Sequence, residues 1–186
     1  MGAIRQPMPV KLVIPMLAGE PAWFARAQEA LCQEFGPVDY ISDDLAFDYT
    51  GYYAPEMGAP LLRRFIAFEP LLDPGALAQA KTWTNALEQE WAREGRRAIN
   101  LDPGYLTAAK FVLATTKDYA HRIYIGQGIY AEVTLLYRGG AFEALPWTYP
   151  DYRSAAYQRI LGEIRSLYMA ALRATRSPDA LTPQSG

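Results

Sequence analysis

The run His121-Arg122-Ile123-Tyr124-Ile125-Gly126-Gln127-Gly128-Ile129-Tyr130-Ala131-Glu132-Val133-Thr134-Leu135-Leu136-Tyr137 decides the fold class. Two β-prone segments, 121–125 and 129–137, flank Gly-Gln-Gly, which reads as a hairpin connection. Side chains alternate between faces along a strand. Tyr130, Glu132, Thr134 and Leu136 therefore share one face, and Ala131, Val133, Leu135 and Tyr137 the other, which is the expected core face. Arg122 and Tyr124 share a face opposite Ile123 and Ile125. Pairing the two strands is expected to bring Arg122 within reach of Glu132.

Two upstream landmarks are identical. Residues 73–75 and 102–104 both read Asp-Pro-Gly. Asp is a good helix N-cap and Pro fits the first helical position, so each tripeptide predicts a helix start. After the first, Leu77, Ala80, Thr84, Leu87 and Trp91 fall at heptad-like spacing. After the second, Tyr105, Leu106, Ala109, Val112, Leu113 and Thr116 carry helical spacing, while the β-branched positions within 112–116 leave a strand open. Further out, 10–18 reads as a strand and 23–35 as an amphipathic helix stopped by Gly36-Pro37. Short strands follow at 38–41, 62–68 and 97–101. Beyond the hairpin, Gly139-Gly140 turns into a strand at 141–145. A helix with Tyr157, Ile160, Leu161, Ile164, Tyr168 and Leu172 on one face closes the chain.

This order predicts an α+β fold. Its centre is a ferredoxin-like βαββαβ core with a mostly antiparallel sheet and helices packed on one face. An added helix, a C-terminal β-hairpin and a closing helix follow. One domain is expected over residues 10–174, with loose tails at 1–9 and 175–186.

Composition agrees. The chain has 186 residues, 51% of them hydrophobic and 20% charged, which suits one packed domain and excludes general disorder. A net charge of −2 and a pI near 5.5 make nucleic acid an improbable partner. No apolar run approaches the ~18 residues of a membrane span, so no membrane association is expected. The single cysteine, Cys32, rules out a disulfide scaffold. With no signal-like segment at the N-terminus, it points to a cytoplasmic location. Charge is uneven: residues 1–60 sum to −5, 61–130 to +2 and 131–186 to +1. Anion contacts are therefore sought in the middle of the chain.

Several functional motifs are absent. There is no phosphate-binding P-loop, no dinucleotide Gly-x-Gly-x-x-Gly, and no Gly-x-Ser-x-Gly nucleophile elbow. One histidine and one cysteine cannot form a typical zinc site. The candidates concentrate in residues 100–153. His121 has the one side chain that titrates near neutrality without help, which makes it the natural general acid or base, with Glu132 and Asp102 as carboxylate partners. Each has a plain structural alternative: a strand-end hydrogen bond for His121, an ion pair with Arg122 for Glu132, a helix cap for Asp102. Asp102 with Glu132 could hold Mg²⁺ together with waters. Candidate ligand contacts are Arg64, Asn100, Lys110, Lys117, Arg122, Tyr124, Tyr130 and Thr134, with Trp147 and Tyr149 as stacking platforms. Arg63 and Arg64 are neighbours on a strand, so at most one of them can serve a given site.

Asn100-Leu101-Asp102-Pro103-Gly104-Tyr105, Val112-Leu113-Ala114-Thr115-Thr116-Lys117, His121-Arg122-Ile123-Tyr124, the 129–135 strand and Pro146-Trp147-Thr148-Tyr149-Pro150-Asp151-Tyr152 together resemble a prokaryotic family of uncharacterised proteins, a domain of unknown function. The resemblance runs from about Lys11 to Leu172. It implies no activity, substrate or cofactor. A GTP-binding label would be contradicted by the missing P-loop, and in Thr116-Lys117-Asp118-Tyr119 the Asp falls one place early for a guanine motif. Two functions are consistent with the residues. One binds or transforms an anionic small molecule or nucleotide at a site within 100–153. The other is a non-catalytic module meeting a protein partner, or a second copy, through an aromatic sheet face. A concave pocket holding His121, Glu132 and a cation would favour the first; a flat face with exposed Tyr124 and Tyr130 would favour the second.

Overall fold

The first strand, β1 (Val10–Ala18), is buried at all nine positions. A strand buried throughout must be covered on both faces, and this one is. Leu12, Ile14 and Met16 pack on Phe24, Ala27 and Leu31 of helix α1 (Ala22–Phe35). Val13 packs on the other face with Tyr157, Ile160, Leu161 and Ile164 of helix α4 (Ala155–Arg176). The helices therefore lie on both faces of the sheet, not on one face as the sequence predicts. The polar exception in β1, Lys11, donates to Asp39 at 2.6 Å and to the Phe68 carbonyl at 2.8 Å, so its buried ammonium is paired.

The remaining elements complete one sheet in this computed structural model, which describes residues 2–51 and 53–176. In chain order they are β2 (Val38–Ile41), β3 (Leu45–Phe47), a one-turn helix α2 (Ala54–Met57), β4 (Leu61–Leu72) and α3 (Leu77–Glu90), then β5 (Ile99–Leu101), β6 (Gly104–Leu106), β7 (Lys110–Thr115), β8 (Ile123–Gly126), β9 (Ile129–Arg138) and β10 (Ala141–Ala144). The strand order is β10-β9-β7-β6-β1-β4-β2; β3 adds to β4, β5 to β1 and β8 to β9. These pairings are antiparallel. The described residues thus form a mixed helix-and-strand architecture around an open antiparallel sheet, with four helices among them.

The two Asp-Pro-Gly tripeptides part ways. Asp73 caps as expected, its Oδ1 accepting from Gly75 N at 2.7 Å ahead of α3. The second tripeptide opens no helix, and the added helix expected after it is the β6–β7 strand pair. Tertiary pairing decides the outcome: β6 fills the space between β1 and β7. Gly104 lies so close to β7 that a Cβ there would stand 2.4 Å from the Val112 carbonyl oxygen.

The β8–β9 hairpin forms with Ile123 opposite Ala131 and Tyr124 opposite Tyr130. Gln127 takes a left-handed φ of 56° between two glycines that also have positive φ. The expected strict alternation in β9 breaks at a bulge. Leu113 pairs with Glu132 but Phe111 with Leu135, so Glu132 and Leu135 share a face. Ala131 and Val133 pack on the α3 side with Leu77 and Ala78. Residues 2–8 carry no regular structure and are exposed. Of the tail expected at 175–186, residues 175–176 belong to α4 and 177–186 lie outside the described residues, as does Tyr52. Among the described residues, no helix is long and apolar enough to cross a membrane.

Candidate functional site

β5 pairs with β1, and β7 pairs with β6 and β9, but β5 and β7 are not paired with each other. Where they diverge the sheet opens, and a cavity of about 600 Å³ occupies the gap. Helix α3 closes it from one side with Lys81, Asn85 and Glu88, which recur at four and three residues on one helix face. Tyr49 and Tyr53, and Tyr149 and Tyr152 in a later loop, line it as well. Five basic side chains (Arg63, Lys81, Arg97, Lys117 and Arg122) and four carboxyl groups (Glu88, Asp102, Glu132 and Asp151) share its wall.

The charges form two groups. In the first, Arg63 is 3% exposed and stands 3.6 Å from Asp102 and 3.4 Å from Asp151. Its Nε and NH1 have no hydrogen-bond partner among the described residues. Lys81 donates to the Leu101 carbonyl at 2.8 Å and to Asp102 at 3.3 Å, while Asn100 donates to the other Asp102 oxygen at 2.6 Å. Arg97 bonds Asn100 and Glu56 and lies 3.8 Å from Glu88. Burial raises the Asp102 carboxyl, but Lys81 and Arg63 outweigh it and hold Asp102 below the usual carboxylate range. For Glu88 burial wins: its carboxyl is pushed up to about 7 despite Lys81, the Leu101 N–H and Arg97. Burial likewise raises Asp151 in spite of Arg63. Carboxyls driven apart in one cavity are a recognised basis for dividing acid and base roles.

The second group centres on Glu132, which is 3% exposed. Its Oε2 accepts from Arg122 Nε at 2.8 Å and lies 3.0 Å from His121 Nε2. Arg122 also donates to the Lys117 carbonyl at 2.9 Å and to the Tyr149 hydroxyl at 2.7 Å. His121 stacks on Trp147 with ring centroids 5.2 Å apart and planes 11° from parallel, and Trp147 Nε1 is tied to the Val133 carbonyl at 2.8 Å. Arg122 and Glu132 do meet across the hairpin.

Of the residues singled out from sequence, Asn100, Asp102, Lys117, Arg122, Glu132 and Tyr149 line the cavity. His121 and Trp147 stand behind Glu132 without lining it. The others are elsewhere. Arg64 points to the α1 face, paired with Asp44 at 2.6 Å and lying over Phe24. Lys110 sits at the start of β7, opposite Leu136 and away from the cavity end. Thr134 is buried at the β9 bulge. Tyr124 and Tyr130 pack on each other, 5.4 Å between rings, outside the cavity. Asp102 is a cavity wall residue and not a helix cap. Sequence reasoning places Asp151 inside the segment 100–153 and weighs Arg63 against Arg64, but it misses Lys81, Glu88 and Arg97 as site residues. Arg63 was separable from Arg64 by face: it shares the parity of Phe65 and Ala67, which pack toward α4.

The Mg²⁺ pair expected from sequence is not favoured. Asp102 and Glu132 are each held by their own cations, and among the described residues no group of three or more His, Cys, Asp or Glu is placed to hold a metal. The chain belongs to the family described as domain of unknown function DUF4416, which matches residues 8–168. No curated protein and no solved structure matches it.

Proposed function

We propose that this protein binds an anionic small molecule in the cavity between β5 and β7, with Glu88 available for proton transfer. One observation carries the reading. Arg63 is buried at the cavity wall with donors left unbonded, and four further cations share that wall. A buried guanidinium held only at 3.4–3.6 Å is loosely paired, since charge-assisted bonds usually close to ~2.8 Å. An entering carboxylate or phosphate would complete it. The cavity is of the size that small-molecule sites usually have. The path β1-α1-β2-β4-α3-β5, with β5, β1, β4 and β2 side by side, supports reading this part of the chain as a ferredoxin-like unit extended by β6–β10. Cys32 is unpaired, which suits a reducing cytoplasm.

The test is a thermal-shift panel of inorganic phosphate, nucleotides, sugar phosphates and dicarboxylates. A ligand at a hundred times its dissociation constant adds about 2.7 kcal/mol of stability. A shift is expected with at least one anion, and Arg63→Lys should weaken that binding tenfold or more, because Lys lacks the planar array of donors. No shift across the panel would sink this reading.

A second reading is favoured by the outer face of the hairpin. Ile123 is 72% exposed, Tyr124 58% and Tyr119 67%, along or beside the edge strand β8. Exposed aromatic and aliphatic groups on a sheet edge suit a protein partner or a second copy. Concentration-dependent sedimentation that Tyr124→Asp abolishes would support it.

A further inference from the structure

Donors and acceptors left unsatisfied in the cavity are not mixed at random. At one end, Arg63 Nε and NH1 and the Tyr152 hydroxyl lack hydrogen-bond partners among the described residues. Both side chains border Asp151, and burial holds the Tyr152 phenol far above its ordinary pKa, so its proton stays on. These are donors without a well-formed acceptor; the Tyr157 hydroxyl beside Arg63 meets it only loosely. At the other end, Glu132 Oε1 is buried and unbonded, while its sister oxygen carries both Arg122 and His121. That atom lacks a donor. A buried polar atom left without a hydrogen bond is costly, so native structures rarely leave one without a use.

We propose that the ligand is two-ended. It carries a carboxylate or phosphate for Arg63 and Tyr152, and on a separate arm an amine or amide N–H for Glu132 Oε1. This rests on the anion-binding reading above and adds the second end. The two ends are well apart. From Arg63 on β4 the sheet runs through β1, β6 and β7, each paired with the next, to Glu132 on β9. That is four strand steps of about 4.8 Å, or ~19 Å between backbones. An Arg and a Glu side chain span only part of that distance. An ammonium and a carboxylate on one carbon cannot serve both ends; a chain of several atoms can. The aromatic lining at Tyr49, Tyr53 and Tyr149 gives such a chain an apolar surface to lie along.

The experiment is calorimetric titration of the intact protein with matched probes. Hexanoate and hexyl phosphate carry one end, hexylamine the other. 6-Aminohexanoate and 6-aminohexyl phosphate carry both, and the two series separate a carboxylate ligand from a phosphate one. Glycine against acetate controls for an amine on the same carbon. In at least one series the two-ended probe should bind at least tenfold more tightly than its one-ended anion, with no such gain from acetate to glycine. Glu132→Gln should remove most of that gain, read as the ratio of the two probes' affinities within the variant. Equal binding of hexanoate and 6-aminohexanoate, and of the two phosphates, overturns the two-ended site and leaves the anion site standing. Failure of every anion to bind overturns both. The comparison within the unmodified protein decides the matter even where a variant folds poorly.

Discussion

Arg63 and Arg64 differ by one position and by everything that surrounds them. Arg63 is buried; burial works against its charge, yet Tyr152, Tyr157, Asp102 and Asp151 hold its pKa above the ordinary arginine value. Arg64 is partly exposed and bonds Asp44 through Nε and NH2 at 2.6 and 2.9 Å. Removing one partner of a buried charge group strands the others, at a cost of about 3 kcal/mol or more, whereas an exposed pair contributes under ~1 kcal/mol. Arg63→Met is therefore expected to lower unfolding stability in urea at pH 7 by about 3 kcal/mol, and Arg63→Met with Asp151→Asn to recover much of the loss. Arg64→Met should cost under ~1 kcal/mol. Equal losses for the two single variants would refute this account. The same pair marks what could be read of the site from sequence. Arg122 and Glu132 were legible because a hairpin fixes its own register, and Tyr149 because its short loop is dense in aromatic residues. Arg63, Lys81, Glu88 and Arg97 were not, because β4, α3 and β5 meet only through pairings distant in sequence.

At the scale of elements, one tripeptide with two outcomes shows where local rules stop. Asp73-Pro74-Gly75 precedes a segment with helical spacing and few β-branched residues, and a helix follows. Asp102-Pro103-Gly104 precedes Tyr105, Val112 and two threonines, and two strands follow. The tripeptide was the same; the pairing of β6 with β1 on one side and β7 on the other overrode it. β1, β2, α1 and the β8–β9 hairpin were legible since period and punctuation agreed there. The β9 bulge was not, because an extra residue leaves no mark in an apolar alternation. The twin glycines give a direct test. A Cβ at Gly104 would meet the Val112 backbone oxygen at 2.4 Å, whereas at Gly75 it would meet the Asp73 side chain at 2.9 Å. A backbone oxygen within a ladder cannot yield, but a cap carboxylate on the surface can turn aside. Gly104→Ala should cost roughly 1–3 kcal/mol by overpacking, and Gly75→Ala distinctly less, measured as urea midpoints at constant slope. A harmless Gly104→Ala would mean that β6 is not pinned as described.

The whole molecule trades stability for the cavity, and pH exposes the trade. Covering a ten-stranded sheet on both faces buries the helix α3 face that carries Glu88, and burial lifts its carboxyl from 4.5 to about 7. The folded protein thus keeps a proton that the unfolded chain releases. Below pH ~4.5 both states hold it, and Glu88 takes nothing from stability. As pH rises from there to about 7, the unfolded state alone ionises freely and stability falls. Above about 7 the loss is complete, some 3 kcal/mol at 1.36 kcal/mol for each unit of pKa. Asp102 acts oppositely and at lower pH: its lowered pKa gives stability that is lost only as acid protonates it. Comparing Glu88→Gln with the unmodified protein isolates the Glu88 part, since Gln still offers an oxygen to the Leu101 N–H, which Glu88 now accepts at 2.6 Å. The two proteins should be equally stable near pH 4, and the variant should be the more stable one at pH 8. An anion seated beside Glu88 would raise that carboxyl further, so ligand binding at pH 7 should take up protons. The uptake appears as a binding enthalpy that changes with the ionisation heat of the buffer, and Glu88→Gln should abolish it. A buffer-independent enthalpy in the unmodified protein would place the bound anion away from α3.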